Sequence, residues 1–412
     1  MTSKLDAPKR RRGEALALSS VQNWVGIAGR PVTVLFVLVA GYLASRVLTT
    51  AFLLGAYVMV TTVHWPVASV DGSTSFLGFL QSWDGAFYRQ IALVGYPSHL
   101  PLDATGAVAK NAWAFLPLYP LIVRGAMAVT NLGFGVTGIM VAVLFGLGAT
   151  IALHRVLIQR FGPDAALWGA LFFCFGPLSF VLQVDYADSL FLFLMFCALA
   201  AMMSRRYLVM IPFGVAAAFA HPGALALSGA LVVMAAIRLI RREPFPLREK
   251  LSAGAAAIVI GVAGVGWPII AALATRTPSA YFDSELAWWG DFLGHTQFWP
   301  FTPWFLMAGR YVGAFGIMIV IAIFGSAAWL LASRRTRRAL GTDILSYIAS
   351  YSAYLAAVFL PQQSIMRMLL PLSPLLGAPA LSRTPARRWT TLAVSVFLQA
   401  GAILLLWLIW PP

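Results

Sequence analysis

Apolar runs long enough to cross a bilayer recur from Pro31 to Trp410, each bounded by a short polar or basic stretch. Such runs fall within 31–63 and near 134–153, 165–183, 187–203, 207–221, 222–240, 251–274, 309–332, 344–360, 364–381 and 389–410. Hydrocarbon offers the backbone no hydrogen-bond partner, so a spanning segment must satisfy its own N–H and C=O groups as a helix. The pattern therefore predicts an all-α polytopic membrane protein with about eleven spans, in a range of 10–13. One further stretch, "WAFLPLYPLIVRGAMAV" (113–129), would invert every later loop if it crossed. Its two prolines and Arg124 also favour a juxtamembrane helix in the first outer loop. No internal repeat or low-complexity linker is evident. The expected organisation is a basic N-terminus over 1–30 and one membrane domain over 31–412, with larger outer loops at 64–112 and 275–308.

Composition agrees: 412 residues, 60% hydrophobic, 10% charged, mean hydropathy +0.82. The net charge of +15 could suggest nucleic acid. Its distribution says otherwise, because the cations gather in short clusters between apolar runs: "KRRR" (9–12), "HRVLIQR" (154–160), "SRR" (204–206), "RLIRREPFPLREK" (238–250), "SRRTRR" (333–338) and "SRTPARR" (382–388). With the N-terminus in the cytoplasm all six lie on the cytoplasmic side, the positive-inside pattern of a multi-pass plasma (inner) membrane protein. No cleavable signal peptide is expected after "APKRRRGE". Cys174 and Cys197 both fall within apolar runs and read as buried thiols, not as a disulfide.

The same topology puts Asp71, Asp84, Asp103, Asp185, Asp188, Asp283, Glu285 and Asp291 outside, eight of the fourteen acids. Four stretches there carry candidate chemistry. "WDGAFYRQIALVGYP" (83–97) sets Asp84 among Trp83, Phe87 and Tyr88, which reads either as a reactive acid or as a solvated carboxylate beside a headgroup-level aromatic belt. In "QVDYADSLF" (183–191), Asp188 is either a substrate contact or a helix cap. "AHPG" (220–223) makes His221 a turn residue, or else a group serving a proton or a metal. "PQQSIMRMLLPLSP" (361–374) places Arg367 just inside a span, where a guanidinium needs an anion unless it snorkels outward. Arg46, in the first span, reads best as snorkelling to the surface or as paired within the bundle. The outer histidines His64, His99, His221 and His295 share no ligand spacing, so no cofactor is expected, and a divalent cation stays an open alternative.

Four stretches together resemble the PIG-V (GPI mannosyltransferase 2) family, part of the C-type (GT-C) glycosyltransferase superfamily. In order they are "WDGAFYRQIALVGYP", "AFLPLYPLIVR", "GPLSFVLQ" with "YADSLFLFL", and "AFAHPGALAL" after "SRRYL", over roughly residues 79–227. Two departures bear on the acceptor: the family's tyrosine-serine-glutamate turn is "YADS" here, and its threonine-arginine turn is "AHPG". The resemblance implies a bacterial relative with a GT-C-type fold. It would move mannose from polyprenyl-phosphate-mannose, with inversion, to a hydroxyl of a glycolipid or lipid-linked glycan acceptor at the outer face of the membrane, among membrane lipids and without nucleic acid. On that implication Asp84 is the general base, since one inverting displacement needs one base. The leaving phosphate is already ionised and needs positive charge, for which Arg367 is the first candidate and Arg89 the second. Trp83, Tyr88, Tyr119, Tyr186, Asp188, His221 and Glu285 are the expected substrate contacts. The alternatives are a lipid or sugar transporter or flippase, a GT-C enzyme using another polyprenyl-linked sugar such as arabinose or glucose, and a non-catalytic envelope scaffold.

Overall fold

Helices account for nearly all regular structure in the computed structural model, which describes residues 31–64 and 75–410; the basic N-terminus and Asp71 lie outside these. Among the described residues six helices are long and apolar enough to cross a membrane: Thr33–Thr61, Phe134–Phe161, Pro222–Ile240, Leu247–Thr275, Pro303–Ala332 and Pro385–Ile409. Four shorter apolar helices accompany them: Leu118–Thr130, Pro163–Cys174, Asp188–Met203 and Tyr207–Ala218. The 113–129 stretch forms the 13-residue helix Leu118–Thr130, about 20 Å long at 1.5 Å per residue and too short to span.

Two expected spans are interrupted, in each case for a local reason. The run 165–183 stops as an α-helix at Cys174, because Gly176-Pro177 cannot continue it, and resumes as a short 3-10 turn, Ser179–Leu182. The carbonyls freed at that break are taken by Arg46, which donates to Cys174 O at 2.9 Å and Ser179 O at 2.6 Å; of the two readings of this residue, the structure has the pairing within the bundle. The run 364–381 is a single α turn, Ile365–Met368, then the 3-10 stretch Leu370–Gly377, because Pro371 and Pro374 remove two backbone donors. Arg367 therefore sits in a broken segment held inside the bundle, not one turn into a continuous span.

The core is built on the long Phe134–Phe161 helix packed against Asp188–Met203. Without a hydrophobic driving force between helices in lipid, small residues let elements approach: Gly138, Ala142, Gly146 and Ala149 are buried on Phe134–Phe161, and Gly148 faces Phe193 of Asp188–Met203. A Cβ at Gly146 would strike the Tyr42 hydroxyl, which donates to Val143 O at 2.9 Å. A Cβ at Gly138 would strike the Asp185 carboxylate. Around this pair pack Tyr207–Ala218, Leu225–Ile240, Leu247–Gly264 and Arg334–Val358. Pro303–Ala332 rests mainly on Arg334–Val358 and is otherwise exposed. At one end of the bundle the loop helices Phe76–Leu80, Asp84–Leu93, Ala280–Leu286 and Gly290–Leu293 form a cap. An aromatic clamp ties the two halves of this cap. Trp113 stacks between Tyr96 and Trp267 at 4.6 and 5.4 Å, the Trp267 indole donates to Trp113 O at 3.1 Å, and Asn111 bonds Ser284 at 3.0 Å.

Candidate active site

The candidate acids converge under this cap. Asp84 is the first residue of helix Asp84–Leu93, where a carboxylate meets the partial positive charge of the helix N-terminus. The preceding Trp83 has φ 62 and ψ −121, the geometry of the first central position of a type II′ turn, where glycine dominates. A bulky residue held there stores on the order of 1–3 kcal/mol of strain. Asp84 is buried, not solvated, and its carboxylate pairs with the Arg367 guanidinium. The same guanidinium lies 3.6 Å from the Asp188 carboxylate and 4.8 Å over the Tyr186 ring. Asp188 opens helix Asp188–Met203 without capping it, so its carboxylate is spent on Arg367.

Burial sorts the remaining titratable groups. Glu285, on Ala280–Leu286, is pushed up to about 7 by burial, opposed by a hydrogen bond to Tyr281 and reinforced by the Asp84 charge. His221, in the turn between Tyr207–Ala218 and Leu225–Ile240, is pushed down to about 3 by burial and then by Arg367. Its Nδ1 accepts from Gly223 N at 3.2 Å, so a neutral ring keeps Nε2–H as its donor. Asp185 is fully buried with neither oxygen partnered among the described residues, and burial pushes it up to about 8. It therefore differs from Asp84 and Asp188, whose carboxylates both face the Arg367 guanidinium. Among the described residues no three His, Cys, Asp or Glu side chains group closely enough to hold a metal ion.

Two cavities meet at Asp84. The first, of about 300 Å³, has a polar end formed by Asp84, Asp188, Arg367, His221 and Glu285 and an apolar wall that includes Leu225, Val265, Pro268, Val358 and Leu360. The second, of about 400 Å³, is bounded by Trp83, Phe87, Trp288, Gln363 and the Lys110–Asp291 ion pair, whose contact is 2.5 Å. Asp84, Trp288 and Gln362 border both. A carboxylate shared by two chambers and paired with a buried cation can take a proton from a group in one chamber while the cation faces charge in the other.

Of the residues expected from sequence, Asp84, Arg367, Asp188, His221, Glu285 and Tyr88 border the first cavity, and Trp83 borders the second. Arg89 is exposed and borders neither cavity, because it projects from the opposite face of the Asp84–Leu93 helix. Tyr119 and Tyr186 are fully buried and border neither cavity. Tyr119 supports Tyr88 edge-on at 5.2 Å, and Tyr186 lies beneath Arg367. The expected headgroup belt is packed indoors: Tyr88 meets Phe115 and Tyr119, and Phe87 stacks on Phe115 at 4.7 Å. Sequence reasoning missed Trp288, Gln362 and Tyr281. The paired tryptophans at 288–289 and the "PQQS" turn were the available signals.

Residues 66–238 match the family described as Mannosyltransferase (PIG-V). A GPI mannosyltransferase 2 from Drosophila pseudoobscura pseudoobscura is 29% identical over 130 residues, which cover 29% of this chain and 26% of that protein. The match thus spans about a quarter of the length of that relative. Among solved structures, ArnT from Cupriavidus metallidurans bound to undecaprenyl phosphate aligns with a TM-score of 0.45 at 16% identity, over 87% of this chain and 64% of that one. AglB, the oligosaccharyltransferase from Archaeoglobus fulgidus in complex with an inhibitory peptide and a dolichol-phosphate, aligns with a TM-score of 0.45 at 10% identity, over 89% and 55%.

Proposed function

We propose, on the premise that residues 66–238 belong to the PIG-V mannosyltransferase family, that the whole chain is a membrane glycosyltransferase of the GT-C type. It transfers mannose from polyprenyl-phosphate-mannose to a hydroxyl of a glycolipid or lipid-linked glycan at the outer face of the plasma membrane. The carrying observation is the first cavity, whose apolar wall runs to a cluster of two carboxylates, one guanidinium and a neutral imidazole. A ligand with a long apolar tail and an anionic, hydroxyl-rich head fits that gradient. A nucleotide sugar does not, because it has no tail to offer the apolar wall.

In this reading the donor phosphate lies beside Arg367, and the acceptor hydroxyl enters from the second cavity. Asp84 takes the hydroxyl proton as the acceptor oxygen bonds to the anomeric carbon. The bond from that carbon to the phosphate oxygen breaks, and the electron pair leaves on the polyprenyl phosphate, with inversion. Arg367 stabilises the charge on the departing phosphate and orients the Asp84 carboxylate by pairing with it. His221 Nε2–H and a protonated Glu285 supply hydrogen bonds to sugar hydroxyls. The test is transfer by purified protein from labelled polyprenyl-phosphate-mannose to a panel of glycolipid acceptors. Binding of donor without turnover, or movement of the intact lipid between leaflets of a vesicle, would replace this reading with the scaffold or the flippase.

A further inference from the structure

The residue before Asp84 has a backbone conformation that L-residues rarely adopt, at a position where glycine would be at ease. A large side chain persists there only if its surroundings hold it. The Trp83 indole N–H donates at 3.3 Å to the carbonyl of Trp407, 324 residues away. That carbonyl belongs to Leu404–Ile409, a π-helical turn that follows the α-helix Pro385–Ile403. Near a helix end a carbonyl lacks its intrahelical partner, so it is free to accept. Trp407 itself is fully buried, edge-on to Phe79 at 6.1 Å and against Tyr186 at 5.6 Å. Tyr186 in turn lies under the Arg367 guanidinium. One turn of helix thus stands behind both members of the acid–cation pair, reaching Asp84 through Trp83 and Arg367 through Tyr186.

We infer that the π-helical turn Leu404–Ile409 is a positioning element that holds the Trp83 backbone and thereby aims the Asp84 carboxylate at Arg367. Trp83 and Trp407 are positioning residues and exchange no proton with substrate. The inference rests on the transferase reading for its kinetic readout, and its geometric content stands apart from that reading. It also assigns a use to a segment outside residues 66–238.

Two variants separate the backbone from the side chain. Trp83→Phe keeps a ring but loses the N–H. Trp83→Gly relieves the positive φ and loses the tether, so the helix start is free to swing. In a transfer assay both should lower kcat by about 10–100-fold, the scale expected when a reacting group is displaced by roughly 1 Å. Donor KM should stay within about threefold, since Arg367 remains. Loss of thermal stability with kcat unchanged would overturn the inference, as would kcat within twofold of the parent protein in both variants. If the parent protein transfers no sugar at all, the transferase reading fails, and a high-resolution structure of the Trp83→Gly protein decides this point alone. A lost Asp84–Arg367 contact supports the positioning role; an intact one overturns it.

Discussion

Replacing Arg367 by glutamine removes the one guanidinium shared by Asp84 and Asp188, whose side chains are 9% and 10% exposed; that of Arg367 is 12% exposed. At such exposure solvent screening is weak, and breaking a buried pair by deleting one partner costs about 3–5 kcal/mol, because a charge is left uncompensated. Two acids lose their partner here, so the upper part of that range is expected. Thermal unfolding in detergent should drop by roughly 4 °C or more. The double variant Arg367→Gln/Asp188→Asn should recover part of the loss, since one orphaned carboxylate is gone, and the two effects should be strongly non-additive. Arg367→Lys should recover only part, because a point charge cannot face two carboxylates in the planar fork of a guanidinium. Donor affinity, measured with a non-transferable polyprenyl phosphate on the same samples, should fall in Arg367→Gln and stay low in the double variant. An Arg367→Gln protein that melts within 1 °C of its parent would refute the claim that the two buried carboxylates depend on this guanidinium for compensation. Unchanged donor affinity would remove Arg367 from the phosphate site.

Three further outcomes are expected. Asp84→Asn should keep donor binding and lower turnover by about 10²–10⁴-fold, the usual loss with an aligned general base; near-native transfer by that variant would rule Asp84 out as the base. Glu285 holds its proton to about pH 7 in the folded state but releases it near the ordinary carboxyl value of 4.5 when unfolded. The native state therefore binds more protons between those values, and its stability should decline as pH rises from about 4.5 to 7 and then level. Glu285→Gln should flatten that decline, and an unchanged pH–stability curve would argue against a buried, protonated Glu285. In a background lacking Cys174 and Cys197, Phe245→Cys in intact cells should resist an impermeant thiol reagent, whereas Ser279→Cys should react; labelling at 245 would invert the topology read from the basic clusters.

Hydropathy alone specified an all-helical chain with several helices long and apolar enough to cross a membrane, while charge supplied the expectation that the basic clusters lie on one side and acids such as Asp84 on the other. These follow from local rules: lipid forces apolar runs into helices, and cation clusters mark the side they stay on. The quoted motifs all fall within residues 66–238, the stretch that matches the PIG-V mannosyltransferase family. What the pattern could not supply was which acids meet which cation. Asp84, Asp188 and Arg367 are brought together by packing across 283 residues of chain, and no local spacing encodes that distance. Nor could it separate Tyr119 and Tyr186, buried behind the cavity walls, from Tyr88, which borders a cavity, since all three sit in equally suggestive motifs. Hydropathy also overran the breaks at Gly176-Pro177 and Pro371, because a window average registers apolarity and not the missing backbone donor. The positive φ of Trp83 was invisible for the same kind of reason: nothing in a tryptophan's chemistry prefers it, and only the neighbouring structure that holds the ring makes it persist.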